Sequence, residues 1–129
     1  ALESANQAYP AWNGIGSKRR AEILDKVADL MERDLNKLIG VISIEAGRTL
    51  NDCVSEVREA IDFCRYYALQ AKTLETLKGR GVFFCISPWN FPLAITVGQI
   101  AAALAAGNTV LVKPAGQTPA IAAIAVRLC

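Results

Sequence analysis

Charge is distributed very unevenly along this chain, and that distribution limits the folds it can adopt. All 12 acidic residues and 12 of the 14 basic residues lie in residues 1–80, whereas residues 81–112 carry no charge. Such a stretch is either buried on most sides or crosses a membrane. Its most apolar part, residues 91–106, is 16 residues long and includes Thr96 and Gln99, whereas a transmembrane helix needs about 20 apolar residues. The sequence therefore predicts a buried parallel α/β unit and no transmembrane span.

Composition excludes several classes of function. The chain has 129 residues, enough for one domain with its own core. It contains no histidine, which excludes Ser-His and Cys-His catalytic pairs and imidazole metal sites. The cysteines (Cys53, Cys64, Cys85 and Cys129) are too far apart for a zinc or Cys-x-x-Cys site, so we expect no metal and reduced thiols in a cytoplasmic compartment. A net charge of +2 predicts no nucleic acid contact.

The part of the chain before the uncharged stretch is predicted to be helical. A first helix covers Ala1–Tyr9 and is closed by Pro10. A second helix is capped by Ser17, and its apolar residues recur at helical spacing. A third helix covers about Leu38–Glu45 and ends at Gly47, which suits a left-handed C-terminal cap.

A fourth helix is predicted from a local start signal. Thr49 and Asp52 form the Ser/Thr-x-x-acid pattern that is typical of a helix N-terminus. The helix is predicted to run to about Lys78, where Gly79 and Gly81 interrupt it. Residues 1–80 are therefore expected to form the helical part of the chain.

Residues 81–129 are predicted to form the start of a parallel α/β unit. Val82–Ile86 is a continuous apolar run bounded by turn residues, which predicts a buried strand. Thr109–Val112 is predicted to be a second short apolar strand. Phe91–Ala106 is predicted to be the helix between them, and Pro119 opens another helix at its first turn. Short connections of this kind form a right-handed crossover, and ligands bind beyond the carboxyl ends of its strands.

Two segments, Ser87–Pro92 and Lys113–Thr118, are predicted to occupy that edge of the sheet. In the first, Pro88 and Pro92 restrict the backbone on either side of Asn90. A rigidly held amide can serve as an oxyanion donor, although Asn90 could instead cap a helix that begins near Phe91. Lys113 is either a ligand-binding side chain or an ordinary solvated lysine.

The motifs Pro88–Pro92, Gly98–Pro114 and Gln117–Pro119 resemble those of the aldehyde dehydrogenase superfamily. Residues 45–68 resemble most closely the L-glutamate γ-semialdehyde (1-pyrroline-5-carboxylate) dehydrogenase branch, as found in bifunctional proline-utilising enzymes. The resemblance covers essentially the whole chain. It implies an incomplete aldehyde dehydrogenase fold, in which residues 1–129 are a fragment of one cofactor-binding domain with a Rossmann-like parallel sheet.

The resemblance also implies a mechanism. In the family a cysteine thiolate attacks the aldehyde, an amide side chain holds the oxyanion, hydride passes to NAD, and a glutamate-activated water hydrolyses the thioester. By motif position Asn90 is the amide donor and Lys113 reaches the adenosine ribose. The cofactor cleft is lined by Ile86, Ser87, Pro88 and Trp89.

Two departures from the family pattern are visible. Three residues after the lysine the family commonly has an acid, whereas this chain has Gly116, which leaves the choice between NAD and NADP open. The chain also ends before the positions of the nucleophilic cysteine and the general-base glutamate. We therefore expect this polypeptide alone to be inactive and to associate through the apolar edge of its sheet.

Substrate choice is assigned to Glu59 through the same resemblance. The corresponding helix in the family presents a side chain to the aldehyde pocket beside the ring that Phe91 supplies. A carboxylate there suits the ammonium group of glutamate semialdehyde, although Glu59 could also be only one of several solvated charges on its helix.

Three interpretations remain open at this stage. The first is a part of a proline-catabolic dehydrogenase that oxidises glutamate semialdehyde to glutamate. The second is another aldehyde dehydrogenase, such as a succinate semialdehyde type, and the third is a non-catalytic nucleotide-binding module. For the first we expect a homo-oligomer, FAD only where a proline dehydrogenase half precedes this part, and peripheral membrane association of the full-length protein at most.

Overall fold

A computed structural model describes all 129 residues as six helices and a two-stranded parallel sheet. The elements, in chain order, are α1 (Leu2–Gly14), α2 (Ser17–Arg33), α3 (Leu35–Ala46), α4 (Leu50–Ala71), β1 (Val82–Ile86), α5 (Ala94–Ala105), β2 (Thr109–Lys113) and α6 (Pro119–Leu128). The α/β class predicted from the sequence is confirmed. No helix is both long enough and apolar enough to cross a membrane.

The hydrophobic core joins the helical part to the α/β part. It is a single cluster of 21 buried residues contributed by α2, α3, α4, α5 and α6 and by Leu93, which directly precedes α5. Leu24 and Met31 of α2 and Val57 of α4 are fully buried in it, together with Val97 of α5. Because the core crosses from residues 1–80 into residues 81–129, the position of α5 depends on α2 and α4.

The sheet places the two predicted strand ends side by side. Strands β1 and β2 pair in parallel, from Val82 opposite Thr109 to Ile86 opposite Lys113. The pairing extends one step further, because the Ser87 amide donates to the Lys113 carbonyl at 3.3 Å. The segments that follow the two strands therefore begin at the same edge of the sheet, as predicted.

The prediction that β1 is buried was wrong. Phe84 and Ile86 are 62% and 58% exposed, Phe83 is also exposed, and only Cys85 is buried within the strand. The physical reason is that β1 pairs with β2 alone and, among the helices, is contacted only by α1 and α5. An apolar run in the sequence indicates that a strand can be buried, but the elements that pack against the strand determine whether it is buried.

Helix α1 extends beyond its predicted end because of contacts distant in sequence. Helix α1 continues through Pro10 to Gly14, and it is anchored on both sides of the proline. The Tyr9 hydroxyl donates to the Gly79 carbonyl, and the Trp12 indole donates to the Leu104 carbonyl at 3.1 Å. These anchors offset the hydrogen bond that proline cannot make.

Helix α4 ends at Ala71, seven residues earlier than predicted. The amides of Lys72 and Thr73 bond to carbonyls three residues back, and the Thr73 hydroxyl donates to the Gln70 carbonyl at 2.8 Å. Bonds of this type tighten the last turn and satisfy carbonyls that would otherwise continue the helix. Helix α3 begins at Leu35, three residues earlier than predicted.

The local caps were predicted with mixed success. The Thr49 hydroxyl accepts from the Asp52 amide at 3.3 Å at the start of α4, and Gly47 adopts φ 64° at the end of α3, as predicted. Ser17, by contrast, is the first residue of α2 and makes no capping bond, because Gly16 occupies the cap with φ 86°. A glycine adopts this positive φ readily and turns the chain into the helix without a side-chain cap.

Candidate functional site

The candidate site lies beyond the carboxyl ends of β1 and β2. Ile86 and Trp89 are exposed there, Ser87 is buried, and Pro88 is half-buried. An apolar cavity of about 460 Å³ lies elsewhere, between α1, α5 and β2, and no residue of Ser87–Pro92 lines it. The site is therefore an open edge formed by two loops.

Asn90 presents a free amide at this edge. Its side chain is exposed and makes no hydrogen bond, and helix α5 begins at Ala94 with Leu93 at its cap and no side-chain capping bond. The alternative that Asn90 caps a helix beginning near Phe91 was therefore wrong. Both amide protons of Asn90 remain available to a ligand.

The backbone of Asn90 is held by Arg48. The Arg48 guanidinium donates to the Asn90 carbonyl at 2.8 Å and lies 4.1 Å from the centroid of the Phe91 ring. The Arg48 backbone is fixed in turn by the left-handed turn at Gly47 and by the Ser43 hydroxyl, which donates to the Arg48 carbonyl at 3.1 Å. Arg48 therefore contacts two successive residues of the Ser87–Pro92 segment, Asn90 through a hydrogen bond and Phe91 through its ring.

Glu56 holds the start of the helix that follows. Its side chain is fully buried, and its carboxylate accepts from the amides of Leu93 at 2.7 Å and Ala94 at 3.2 Å. The other oxygen pairs with Arg48 at 2.5 Å. Burial raises the pKa of Glu56, and the two amides and Arg48 oppose that shift because they stabilise the carboxylate.

The sequence reasoning missed both Glu56 and Arg48. A signal was present for Glu56, because it lies on the same face of α4 as the buried Cys53, Val57 and Ala60. A carboxylate in line with an apolar stripe is buried, and a buried carboxylate needs partners. Arg48 carried no comparable signal, because its role depends on residues more than forty positions away.

The Lys113–Thr118 segment is more open. Lys113 is exposed, and its ammonium donates to the Pro114 carbonyl at 3.0 Å, which leaves two of its three protons free. Gly116 is exposed, and a Cβ added to it would meet no atom within 4 Å. The following helix, α6, is capped by Glu45, which accepts from Ala120 at 2.7 Å and from Ile121 at 2.9 Å.

Glu59 and Phe91 are placed differently from each other. Glu59 is exposed on α4 and makes no hydrogen bond or ion pair. Phe91 is half-buried beneath the Arg48 guanidinium. Glu59 is therefore free to meet a charged ligand, whereas the Phe91 ring is already in contact with a cation.

The cysteines and the donor set restrict the chemistry of the site. Cys53, Cys64 and Cys85 are buried and unpaired, and burial raises the pKa of Cys64 to about 12. The prediction that Cys64 and Cys85 are core side chains is confirmed. No group of three or more metal-binding side chains is present. What the edge offers is a free amide, a free ammonium and exposed apolar surface, a set that fits a nucleotide and a carbonyl compound.

This chain belongs to the aldehyde dehydrogenase family, whose sequence pattern matches residues 1–129. Among curated relatives, the bifunctional protein PutA of Escherichia coli K12 is 55% identical over 126 residues, which are 95% of this chain and 10% of PutA. A 1-pyrroline-5-carboxylate dehydrogenase of Halalkalibacterium halodurans is 36% identical over 95% of this chain and 27% of that protein. The chain thus spans only a small part of these relatives.

Solved structures are similar over nearly the whole chain. A mutant of proline utilization A from Bradyrhizobium japonicum superposes with a TM-score of 0.96 at 45% identity, covering 98% of this chain and 15% of that one. A 1-pyrroline-5-carboxylate dehydrogenase from Thermus with bound NAD gives 0.95 at 31% identity, covering 98% and 28%. The resemblance stated from the sequence motifs is confirmed.

Proposed function

We propose that this chain is part of an NAD-dependent dehydrogenase that oxidises L-glutamate γ-semialdehyde (1-pyrroline-5-carboxylate) to L-glutamate in proline catabolism. The observation that carries the proposal is that one segment is shared by two kinds of relative. Bifunctional PutA and a separate 1-pyrroline-5-carboxylate dehydrogenase both align over 95% of the chain. The segment that both relatives share is therefore proposed to serve the activity named for the separate enzyme, 1-pyrroline-5-carboxylate dehydrogenase.

Asn90 is the proposed oxyanion donor. Its amide is exposed and without a partner at the carboxyl end of β1, while its backbone carbonyl is bound by Arg48. An amide fixed in this way can stabilise the negative charge that develops on an aldehyde oxygen during attack, without reorganising at that moment. Cys53, Cys64 and Cys85 are buried, and Cys129 lines the cavity between α1, α5 and β2, which no residue of Ser87–Pro92 lines. The nucleophile and the general base are therefore proposed to lie in the rest of a longer protein.

The nicotinamide cofactor, which supplies the hydride acceptor when bound, is proposed to lie across the same edge. The two free protons of the Lys113 ammonium can bond to ribose hydroxyls. Ile86 and Trp89 offer exposed apolar surface, and Ser87 and Pro88 form the backbone between them. The NAD bound to the Thermus relative, at 31% identity, supports this assignment.

Glu59 is the proposed determinant of substrate choice. It is an exposed, unpaired carboxylate on α4, the helix that also provides Glu56. Glutamate semialdehyde carries an ammonium group that a simple aldehyde lacks, and a charge-assisted hydrogen bond to it is worth about 1–3 kcal/mol. An uncharged aldehyde would bind without the free energy of this hydrogen bond.

The main test replaces Asn90 in the full-length enzyme. Asn90→Ala is expected to lower kcat by about 10²–10³-fold, because one oxyanion donor is lost, while the dissociation constant for NAD stays unchanged. The matched control is Asn36→Ala, which removes an exposed amide on α3, outside the site. Turnover close to that of the parent enzyme would reject Asn90 as the oxyanion donor.

A second test addresses the substrate. Glu59→Gln is assayed in the full-length enzyme on glutamate semialdehyde and on an uncharged aldehyde of similar length, with Glu75→Gln as an exposed control. A selective loss on the ammonium-bearing substrate is expected. Equal rates on both substrates before and after the substitution would favour another aldehyde dehydrogenase, such as a succinate semialdehyde type.

Three further features concern the whole protein and stay predictions. They are a homo-oligomeric state, a cytoplasmic location with peripheral membrane association at most, and FAD in a proline dehydrogenase half where one precedes this part.

A further inference from the structure

The segment that carries Asn90 has few contacts of its own. The Ser87 amide bonds to the Lys113 carbonyl at one end, and the Thr96 hydroxyl donates to the Pro92 carbonyl at 2.6 Å at the other. Pro88 and Pro92 have no amide proton to contribute. Between the two ends, the bond from Arg48 to the Asn90 carbonyl is the one polar contact.

The direction of the Asn90 amide must therefore be set through its backbone. Arg48 fixes the Asn90 carbonyl, and Glu56 fixes the amides of Leu93 and Ala94 three and four residues later. Arg48 and Glu56 also bond to each other at 2.5 Å, so that the two attachments form one unit. Both side chains come from the α3–α4 region and reach across to a segment of the α/β part.

We propose that Arg48 and Glu56 are positioning residues that aim the Asn90 amide at the reacting carbonyl. The inference rests on the proposed function, because it assigns Asn90 the role of oxyanion donor. Neither side chain reaches out to a ligand: the Glu56 carboxylate is fully buried and the Arg48 side chain is only 15% exposed. They act by holding the main chain on both sides of Phe91 and Pro92.

Holding the main chain in place has a large effect on rate. An oxyanion donor must lie within hydrogen-bond reach of an oxygen whose position is fixed by the attacking group. A displacement of about 1 Å at such a site can cost about a hundred-fold in rate. A pair that fixes the Asn90 carbonyl and the following helix start therefore controls kcat without contacting the substrate.

Glu45 provides a matched control within the same molecule. Like Glu56 it is a glutamate of the helical part that accepts from two amides at the start of a helix, in this case Ala120 and Ile121 of α6. Unlike Glu56 it has no arginine partner and no link to Asn90. If Glu56 only capped a helix, substitution of Glu56 and substitution of Glu45 would have the same effect on kcat.

The experiment compares conservative variants of the full-length enzyme. Arg48→Lys keeps the charge and loses the planar group over Phe91, and Glu56→Gln keeps the acceptor and loses the charge that orients Arg48. Each is expected to lower kcat by roughly ten- to a hundred-fold, with the NAD dissociation constant unchanged. Glu45→Gln and Arg65→Lys, which alter a cap and an exposed ion pair, are expected to leave kcat unchanged.

The decisive measurement repeats the substitutions in an Asn90→Ala background. If Arg48 and Glu56 act through Asn90, they cause no further loss of kcat there, because groups that act as one unit are not additive. Losses that multiply in this background, or an unchanged kcat for both single variants, would overturn the inference. Should Arg48→Lys fail to fold, Glu56→Gln alone gives the same two outcomes.

These variants distinguish a failure of the positioning roles from a failure of the proposed function. A normal kcat for Asn90→Ala would reject Asn90 as the donor, and the inference with it. A low kcat for Asn90→Ala together with a normal kcat for Arg48→Lys and Glu56→Gln would keep the proposed function and reject only the positioning roles.

Discussion

The two segments that follow the strands occupy the same edge of the sheet but are held very differently. Arg48 of the helical part binds the Asn90 carbonyl within Ser87–Pro92, and the buried Glu56 binds the amides of Leu93 and Ala94 directly after it. In Lys113–Thr118 no side chain of the helical part bonds to the segment itself, and the half-buried Glu45 binds the start of the helix after it. The first segment is proposed to face the reacting atoms and the second the ribose. Geometry near a reacting atom must be fixed closely, whereas a flexible ammonium can find a hydroxyl group.

The largest expected effect is a loss of stability when Arg48, which binds the first segment, is removed. Arg48→Ala leaves the Glu56 carboxylate buried beside two amides without its cation, and the free energy of unfolding of the full-length protein should fall by about 3–5 kcal/mol. Urea unfolding measures it. The control is Arg65→Ala on the exposed surface of α4, where the change should be at most about 1 kcal/mol. Equal changes for both would mean that the Arg48–Glu56 pair has no special role in stability.

A second effect on stability concerns the second segment. Glu45→Ala removes the acceptor for the Ala120 and Ile121 amides and should lower the free energy of unfolding by about 1 kcal/mol, the usual value of a lost N-terminal cap. Urea unfolding beside an exposed control, Glu75→Ala, checks this. A loss as large as that of Arg48→Ala would contradict the difference between the two segments.

A third test sharpens the role of the open segment. Gly116→Glu is sterically free, because a Cβ at this position meets no atom within 4 Å, and it adds the carboxylate that the family commonly has. A hydrogen bond to a charged group is worth about 1.5 kcal/mol or more, so NAD should bind about ten-fold tighter in titration calorimetry. Unchanged affinity for both NAD and NADP would show that the segment does not meet the ribose.

The smallest effect is a pH dependence of the free energy of unfolding that arises from Glu56. Burial raises the pKa of Glu56, so the folded protein holds this proton more tightly than the unfolded chain. Stability then falls as the pH rises from the ordinary carboxyl pKa through the raised value. Glu56→Gln should remove that part of the slope in urea unfolding across mildly acidic pH. An unchanged slope in Glu56→Gln would assign the dependence to other groups.

Much of the fold was predictable because its signals act over a few residues. Thr49 caps the helix it precedes, Gly47 ends the helix before it, and Pro119 opens α6. The order of helices and strands, and the edge at which the two loops meet, followed from the apolar pattern. The positions of Asn90 and Lys113 at that edge followed from the same pattern, whereas their roles came from the family resemblance.

What the sequence by itself determined is therefore the set of elements, their order and the family. The tertiary structure alone decided that Glu56, one charge among several on α4, is buried against Leu93 and Ala94, 37 and 38 residues away. It also decided that Arg48 reaches Asn90 and that β1 is exposed. The physical reason is that caps and turns use neighbouring backbone groups, whereas burial and ion pairing depend on which distant surfaces the folded chain brings together.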